Sequence, residues 1–84
     1  MTADQMQVGI PYIVTKPSRH REFQPGDRIR LCADGTIENV QAAGWMDAAD
    51  VPAATKGMEC EIDAATIERR RQKLQAELDA MVAA

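Results

Sequence analysis

Gln24-Pro25-Gly26-Asp27-Arg28-Ile29-Arg30-Leu31-Cys32-Ala33-Asp34-Gly35-Thr36-Ile37-Glu38-Asn39-Val40 is the stretch that decides the fold of this chain. It predicts a β-hairpin, entered through a Pro-Gly-Asp turn and folded back at Asp34-Gly35. Two loops are open to it. A two-residue Asp-Gly turn sets Leu31 opposite Glu38. A three-residue loop, Ala33-Asp34-Gly35 with Gly35 left-handed in a G1 bulge, sets Leu31 opposite Ile37. The second loop pairs two large apolar side chains, and a slip of one residue reverses every side chain, so the three-residue loop is favoured. Ile29, Leu31 and Ile37 then face the core, while Arg28, Arg30 and Cys32 face outward.

N-terminal to the hairpin, Ile10, Tyr12 and Val14 alternate with Gly9, Pro11 and Ile13, which predicts a strand over Val8–Thr15. Pro11 has no N–H for a ladder, so that strand belongs at an edge or carries a bulge. Residues 1–7 form a polar lead-in, expected to be flexible. Lys16 to Arg21 is a basic connection with His20 at its surface, and Phe23 tucks one end of it onto the core. C-terminal to the hairpin, Gln41 to Gly44 is expected as a turn or bulge leading to Trp45. As the largest apolar side chain, Trp45 is expected to plug one end of the sheet, with a contact to a partner as the alternative. Asp47 to Ala54 has short-helix character, with Asp47 as a cap and Pro52 early in a turn. Met58, Cys60 and Ile62 then alternate with Glu59 and Glu61, a half-buried strand with its acids toward water.

Asp63 suits an N-cap, and from Ala64 to about Ala83 nothing breaks a helix. Ile67, Leu74 and Met81 recur every seven residues, with Ala64, Arg71 and Leu78 filling the intermediate seam. Such a helix extends about 30 Å. Its stripe can pack on its own sheet or pair with a second copy. Ile67, Leu74, Leu78 and Met81 are the candidates for self-association, and Arg71 in the seam makes a weak zipper alone. A homodimer is slightly favoured over a monomer. The expected architecture is therefore α+β: a small antiparallel, partly closed SH3-like β-sheet of four or five short strands, followed by one C-terminal α-helix. One domain spans 1–84, with a β-rich core over 8–63 and the helix over 64–83.

Composition bounds the rest. A chain of 84 residues buries only a modest share of its surface. Tyr12, Phe23 and Trp45 are its aromatic residues, and many of its apolar side chains are alanines, so the core rests on few large groups and association is favoured. Cys32 and Cys60 do not make a disulfide framework, and alternation points them to different faces, so reduced thiols are expected. Without a histidine at ligand spacing no metal site is expected, and no cofactor. The N-terminus shows no apolar signal region and no run has the length of a membrane span, so a cytoplasmic location with no membrane partner is expected.

The net charge of −3 hides a division along the chain. Residues 15–31 hold Lys16, Arg19, Arg21, Arg28 and Arg30 against Glu22 and Asp27, whereas residues 32–63 hold seven acids against Lys56 alone. Opposed patches meet within one fold, between copies, or on a partner. Enzyme signatures are missing: there is no glycine-rich phosphate loop, GxSxG elbow, HExxH or cysteine–histidine arrangement, so no catalytic residue is assigned and no enzyme is expected. Nucleic-acid binding would use the basic face. Arg28 and Arg30 would act with Lys16, Arg19 and Arg21, and Arg69, Arg70 and Arg71 with Lys73. An isoelectric point near 5.0 and the lack of a stacking platform count against it. A protein-interaction role takes the largest share, with Arg28, Arg30, Trp45, Arg69, Arg70 and Arg71 as candidate contacts. Five methionines suit adaptable surfaces.

Gly26, Asp27, Ile29, Leu31, Asp34, Gly35, Ile37, Gly44 and Trp45 form a GD-I-L, D-G-I, G-W progression. Over about residues 12–63 this pattern resembles small accessory proteins encoded in phages and prophages, a group largely without assigned function. The resemblance implies a bacterial or phage-infected cytoplasmic setting and a non-enzymatic role, and it supplies no site residues. Pro-Gly-Asp and Asp-Gly turns also occur in SH3-like barrels, including nucleic-acid-binding KOW modules, which is the source of the alternative function.

Overall fold

The computed structural model describes residues 1–40 and 44–83. Along the chain run β1 (Pro11–Lys16), β2 (Arg28–Leu31), β3 (Ile37–Asn39), β4 (Gly44–Met46), the single-turn helix α1 (Val51–Ala54), β5 (Glu59–Ile62) and the long helix α2 (Ala64–Ala83). The five strands form one sheet in the order β4-β3-β2-β1-β5, and every neighbouring pair is antiparallel. The sheet is not closed, so β4 and β5 are its edges. With α2 following it, this is a small α+β fold.

The central hairpin has the register that pairs apolar with apolar. Leu31 lies opposite Ile37, Arg30 opposite Glu38 and Ile29 opposite Asn39. Cys32 N–H donates to Thr36 O at 2.8 Å and Gly35 N–H to Cys32 O at 3.0 Å, closing the three-residue loop. Gly35 takes φ +86°, a region that costs an L side chain about 1–2 kcal/mol. Asp34 secures the turn by accepting from both the amide and the hydroxyl of Thr36, at 3.0 and 2.6 Å. The turn or bulge expected over Gln41–Gly44 falls on residues 41–43, outside the described residues, and on Gly44, which opens β4.

One face of the sheet carries the core. Tyr12, Val14, Ile29, Ile37 and Cys60 are buried there with Met6, Phe23, Ala54 and Met58. Phe23 is tucked in as expected, beside a buried Ser18 whose hydroxyl accepts from the Phe23 amide. Ile62 is half-exposed despite its alternation with Cys60, because β5 ends there and the chain leaves the sheet.

Three expectations meet their outcome here. First, of the two arrangements open to β1, an edge or a bulged strand, it takes the bulged one and is an interior strand between β2 and β5. Pro11 is tolerated because it is the first residue of the strand, where its carbonyl still accepts from Asp63 N–H at 2.9 Å. The irregularity of β1 lies further on, between Val14 and Lys16 against β5. Second, the N-terminal segment is docked rather than loose. Its amino group donates to Cys60 O, Cys60 N–H donates back to Met1 O, both at 2.9 Å, and Met6 is buried. An edge strand with unpaired groups has recruited the nearest backbone. Third, Trp45 does not plug the sheet and is 63% exposed. It stands opposite Glu38, on the face that Arg30 shares, while Ile37 and Met46 take the core side of the same pair of strands.

Helix α2 does not fold back over the core. None of its residues is buried, and its contact with the sheet is made near β1. The molecule is accordingly drawn out to 51 Å along its long axis against 23 and 22 Å across.

Candidate functional site

The junction between the sheet and α2 is where the chain concentrates its unusual side chains. Asp63 builds it. One carboxylate oxygen accepts from the Thr66 amide at 3.2 Å and the other from the Thr66 hydroxyl at 2.6 Å, so the predicted N-cap is realised. Asp63 is 5% exposed, and Arg28 Nε stands 3.7 Å from it. The Thr66 hydroxyl above all, then the Thr66 amide and the nearby Arg28 and Arg69 charges, hold the Asp63 carboxyl below its ordinary range against the opposing effect of burial. The helix is thus riveted to the sheet at a single charged point.

Part of the charge division of the sequence is resolved inside the fold. Arg28 pairs with Asp63, Arg30 with Glu38 across the hairpin, and Lys16 with Glu59 across β1 and β5. Each pair joins a base of residues 15–31 to an acid of residues 32–63. Arg28 and Arg30 are therefore half-buried and committed to carboxylates. In contrast, Arg69 donates to its helical neighbour Thr66, and Arg70 and Arg71 make no ion pair among the described residues.

Two hollows flank α2. The larger, about 460 Å³, lies between Gly9-Ile10-Pro11 and the apolar stripe at Ile67, Leu74 and Leu78, with Arg70 and Arg71 in its lining. The smaller, about 150 Å³, lies beside Arg28, Arg30, Val40, Asp63, Thr66 and Arg70 on the outward face of the sheet. The structure thus gathers Arg28, Arg30, Arg69 and Arg70 around one hollow, and Ile67, Arg71, Leu74 and Leu78 around the other. Met81 projects beyond them, 75% exposed. Trp45 is apart from both, on the edge strand β4, at the far side of the sheet from β5. Sequence inspection missed the wall formed by Gly9, Ile10 and Pro11. No local signal carries it, since it depends on where α2 points after Asp63.

Both cysteines are free, Cys60 buried and Cys32 half-buried, and burial pushes the Cys60 thiol pKa up. Among the described residues no group of three or more His, Cys, Asp or Glu side chains is placed to hold a metal, and no helix is long and apolar enough to cross a membrane. No protein-family model matches the chain, and no curated protein or solved structure is significantly similar to it.

Proposed function

We propose that this protein is a non-enzymatic interaction module that binds another protein chain through the exposed apolar face of α2. The observation that carries this is the state of the helix. Ile67, Leu74, Leu78 and Met81 lie on one stripe yet are 40, 60, 55 and 75% exposed, on a twenty-residue helix with no buried residue. Helices in proteins draw most of their stability from packing an apolar face, and a stripe left open is the mark of a surface awaiting a partner. The exposed Trp45 offers a second, separate contact of the type enriched in hot spots. The strand order, with α1 between β4 and β5, is consistent with SH3-like β structure. Together with the hairpin and Gly-Trp pattern it supports placing the protein among phage or prophage accessory proteins, acting in the cytoplasm of the bacterial host.

Nucleic-acid binding is the second candidate, favoured by the run Arg69-Arg70-Arg71, which makes no ion pair among the described residues. It ranks lower because Arg28 and Arg30, the strand cations it would need, are already neutralised by Asp63 and Glu38. Capture from nuclease-treated bacterial lysate separates the two. Protein retained by the wild type, including its own untagged copy, and lost with Leu74→Asp supports the helix face. Material that disappears with nuclease, or as salt rises from about 50 to 200 mM, supports the phosphate-led alternative.

A further inference from the structure

We infer that the groove between Gly9-Ile10-Pro11 and α2 receives the C-terminal half of α2 from a second copy of this chain, the two helices lying antiparallel. This rests on the proposal that the apolar face of α2 is an interaction surface, and it names the occupant.

The lining of the groove is the first argument. With Ala64, Arg71 and Leu78 at heptad position a, and Ile67, Leu74 and Met81 at d, the helix residues that line it are Ile67, Arg70, Arg71, Leu74, Gln75 and Leu78. These are a, d, e and g positions, the set a helical partner covers in a coiled coil. The hollow is thus one flank of a helix-pairing seam that the sheet extends at one end.

Charge complementarity identifies a second copy and its direction. The N-terminal half of α2 carries Arg69, Arg70, Arg71 and Lys73 against Glu68, and the C-terminal half carries Glu77 and Asp79 with no cation. Parallel pairing would stack Arg71 on Arg71 and set basic half against basic half. Antiparallel pairing with a facing d sets Ile67 across Leu78, Arg71 across Leu74 and Ala64 across Met81. The small Ala64 then faces the largest side chain of the stripe. Flanking g positions place Arg70 beside Glu77 of the other copy, twice per dimer by symmetry. Opposed helix dipoles agree with this direction.

The sheet supplies what a short zipper lacks. In this register Leu78 and Met81 of the second copy arrive beside Ile67 and Ala64, at the end of the helix where Gly9, Ile10 and Pro11 form the wall. The groove of about 460 Å³ is then filled by side chains rather than left open. Such an interface joins helix to helix and helix to sheet.

Reciprocal charge reversal tests it, with light scattering reporting mass and circular dichroism reporting helix content. Residues 70 and 77 are both exposed, so their exchange leaves the sheet intact. The wild type is expected at twice 9.2 kDa. Arg70→Glu alone and Glu77→Arg alone each set like charges together in their own homodimers, and each is expected to dimerise at least about tenfold more weakly. An equimolar mixture of the two variants restores every opposite pair and is expected to recover the dimer, as is one chain carrying both changes. In a parallel dimer residues 70 and 77 do not meet, so failure of the mixture to recover would overturn the antiparallel register, as would single variants that dimerise like the wild type. A monomeric wild type with α2 helical refutes the second copy as occupant, while lysate capture that depends on Leu74 would leave the proposed function standing. A dimer indifferent to Leu74→Asp refutes both.

Discussion

Replacement of Asp63 by alanine removes the point at which α2 is fastened, and its cost can be worked out from the contacts. Loss of an N-cap acceptor for the Thr66 amide costs about 1 kcal/mol. The bond from the Thr66 hydroxyl, 2.6 Å long and accepted by a charged oxygen, contributes on the order of 1 kcal/mol more. The Arg28 contact adds little, about 0.5 kcal/mol or less, because the guanidinium group is 39% exposed and screened by water. Asp63→Ala should therefore destabilise the protein by about 2 kcal/mol, a large share of the roughly 5–10 kcal/mol available to a domain of this size. That corresponds to a fall in Tm of about 8–16 °C. Asp63→Asn keeps one acceptor for the Thr66 amide and should cost about half as much. The assay is urea unfolding followed by far-UV circular dichroism at fixed protein concentration, since association would otherwise shift the midpoint. Acid adds an independent check. The folded carboxyl is held below its ordinary 3.8, so its contribution is fully present above that value and is lost as pH falls through the lower folded value. On acidification below about pH 4 the wild type should thus lose its advantage over Asp63→Asn. An Asp63→Ala midpoint within about 0.5 kcal/mol of wild type would refute the role assigned to this residue, since changes of that size are ordinary for surface positions.

Two further outcomes follow from local geometry. Gly35→Ala must hold an L residue at φ +86° with its Cβ 3.2 Å from Ala48 Cβ, whereas the Cβ of Gly26→Ala, at φ +93°, meets nothing within 4 Å. Urea unfolding should show a loss of about 1–2 kcal/mol for Gly26→Ala and a larger one for Gly35→Ala. Equal losses would mean that Ala48 yields freely. In the native protein, alkylation should label the half-buried Cys32 well before the buried Cys60, and both at one rate in urea, as read by peptide mass spectrometry. Prior labelling of Cys60 would contradict the burial of β5 against the core.

The ion pairs give the fold a coherent electrostatic plan. Lys16, Arg28 and Arg30 are each paired with an acid that comes later in the chain, so the sheet presents few unpaired charges of either sign on its outward face. Helix α2 follows the opposite rule. Its cations all lie in the N-terminal half, with Glu68 beside them, while Glu77 and Asp79 lie in the C-terminal half, and none makes an ion pair among the described residues. A charge pattern satisfied within the monomer stabilises the monomer, and one left unsatisfied along a helix is available to set the direction of a partner.

By itself the sequence determined those features whose physics is local. The register of β2 against β3 followed from a loop of three residues, a glycine able to adopt positive φ and the demand that Leu31 meet Ile37. The start of α2 followed from Asp63 and the Thr66 donors within one turn of it. The burial of Phe23, Met58 and Cys60 followed from size and alternation. Tertiary structure alone decided the rest, because it depends on which strands become neighbours. Pro11 could be placed in an interior strand only once β5 had returned beside β1, 43 or more residues later in the chain. Residues 1–7 found a partner for the same reason, in the exposed edge that β5 offered. Trp45 faces water because β4 is an edge strand paired through Glu38, and its bulk had no say in that choice. The direction in which α2 leaves Asp63 was equally beyond local patterning. It is set where β5 delivers the buried Asp63 beside β1 to cap the helix, and it leaves the apolar stripe in solvent beside a wall of the sheet.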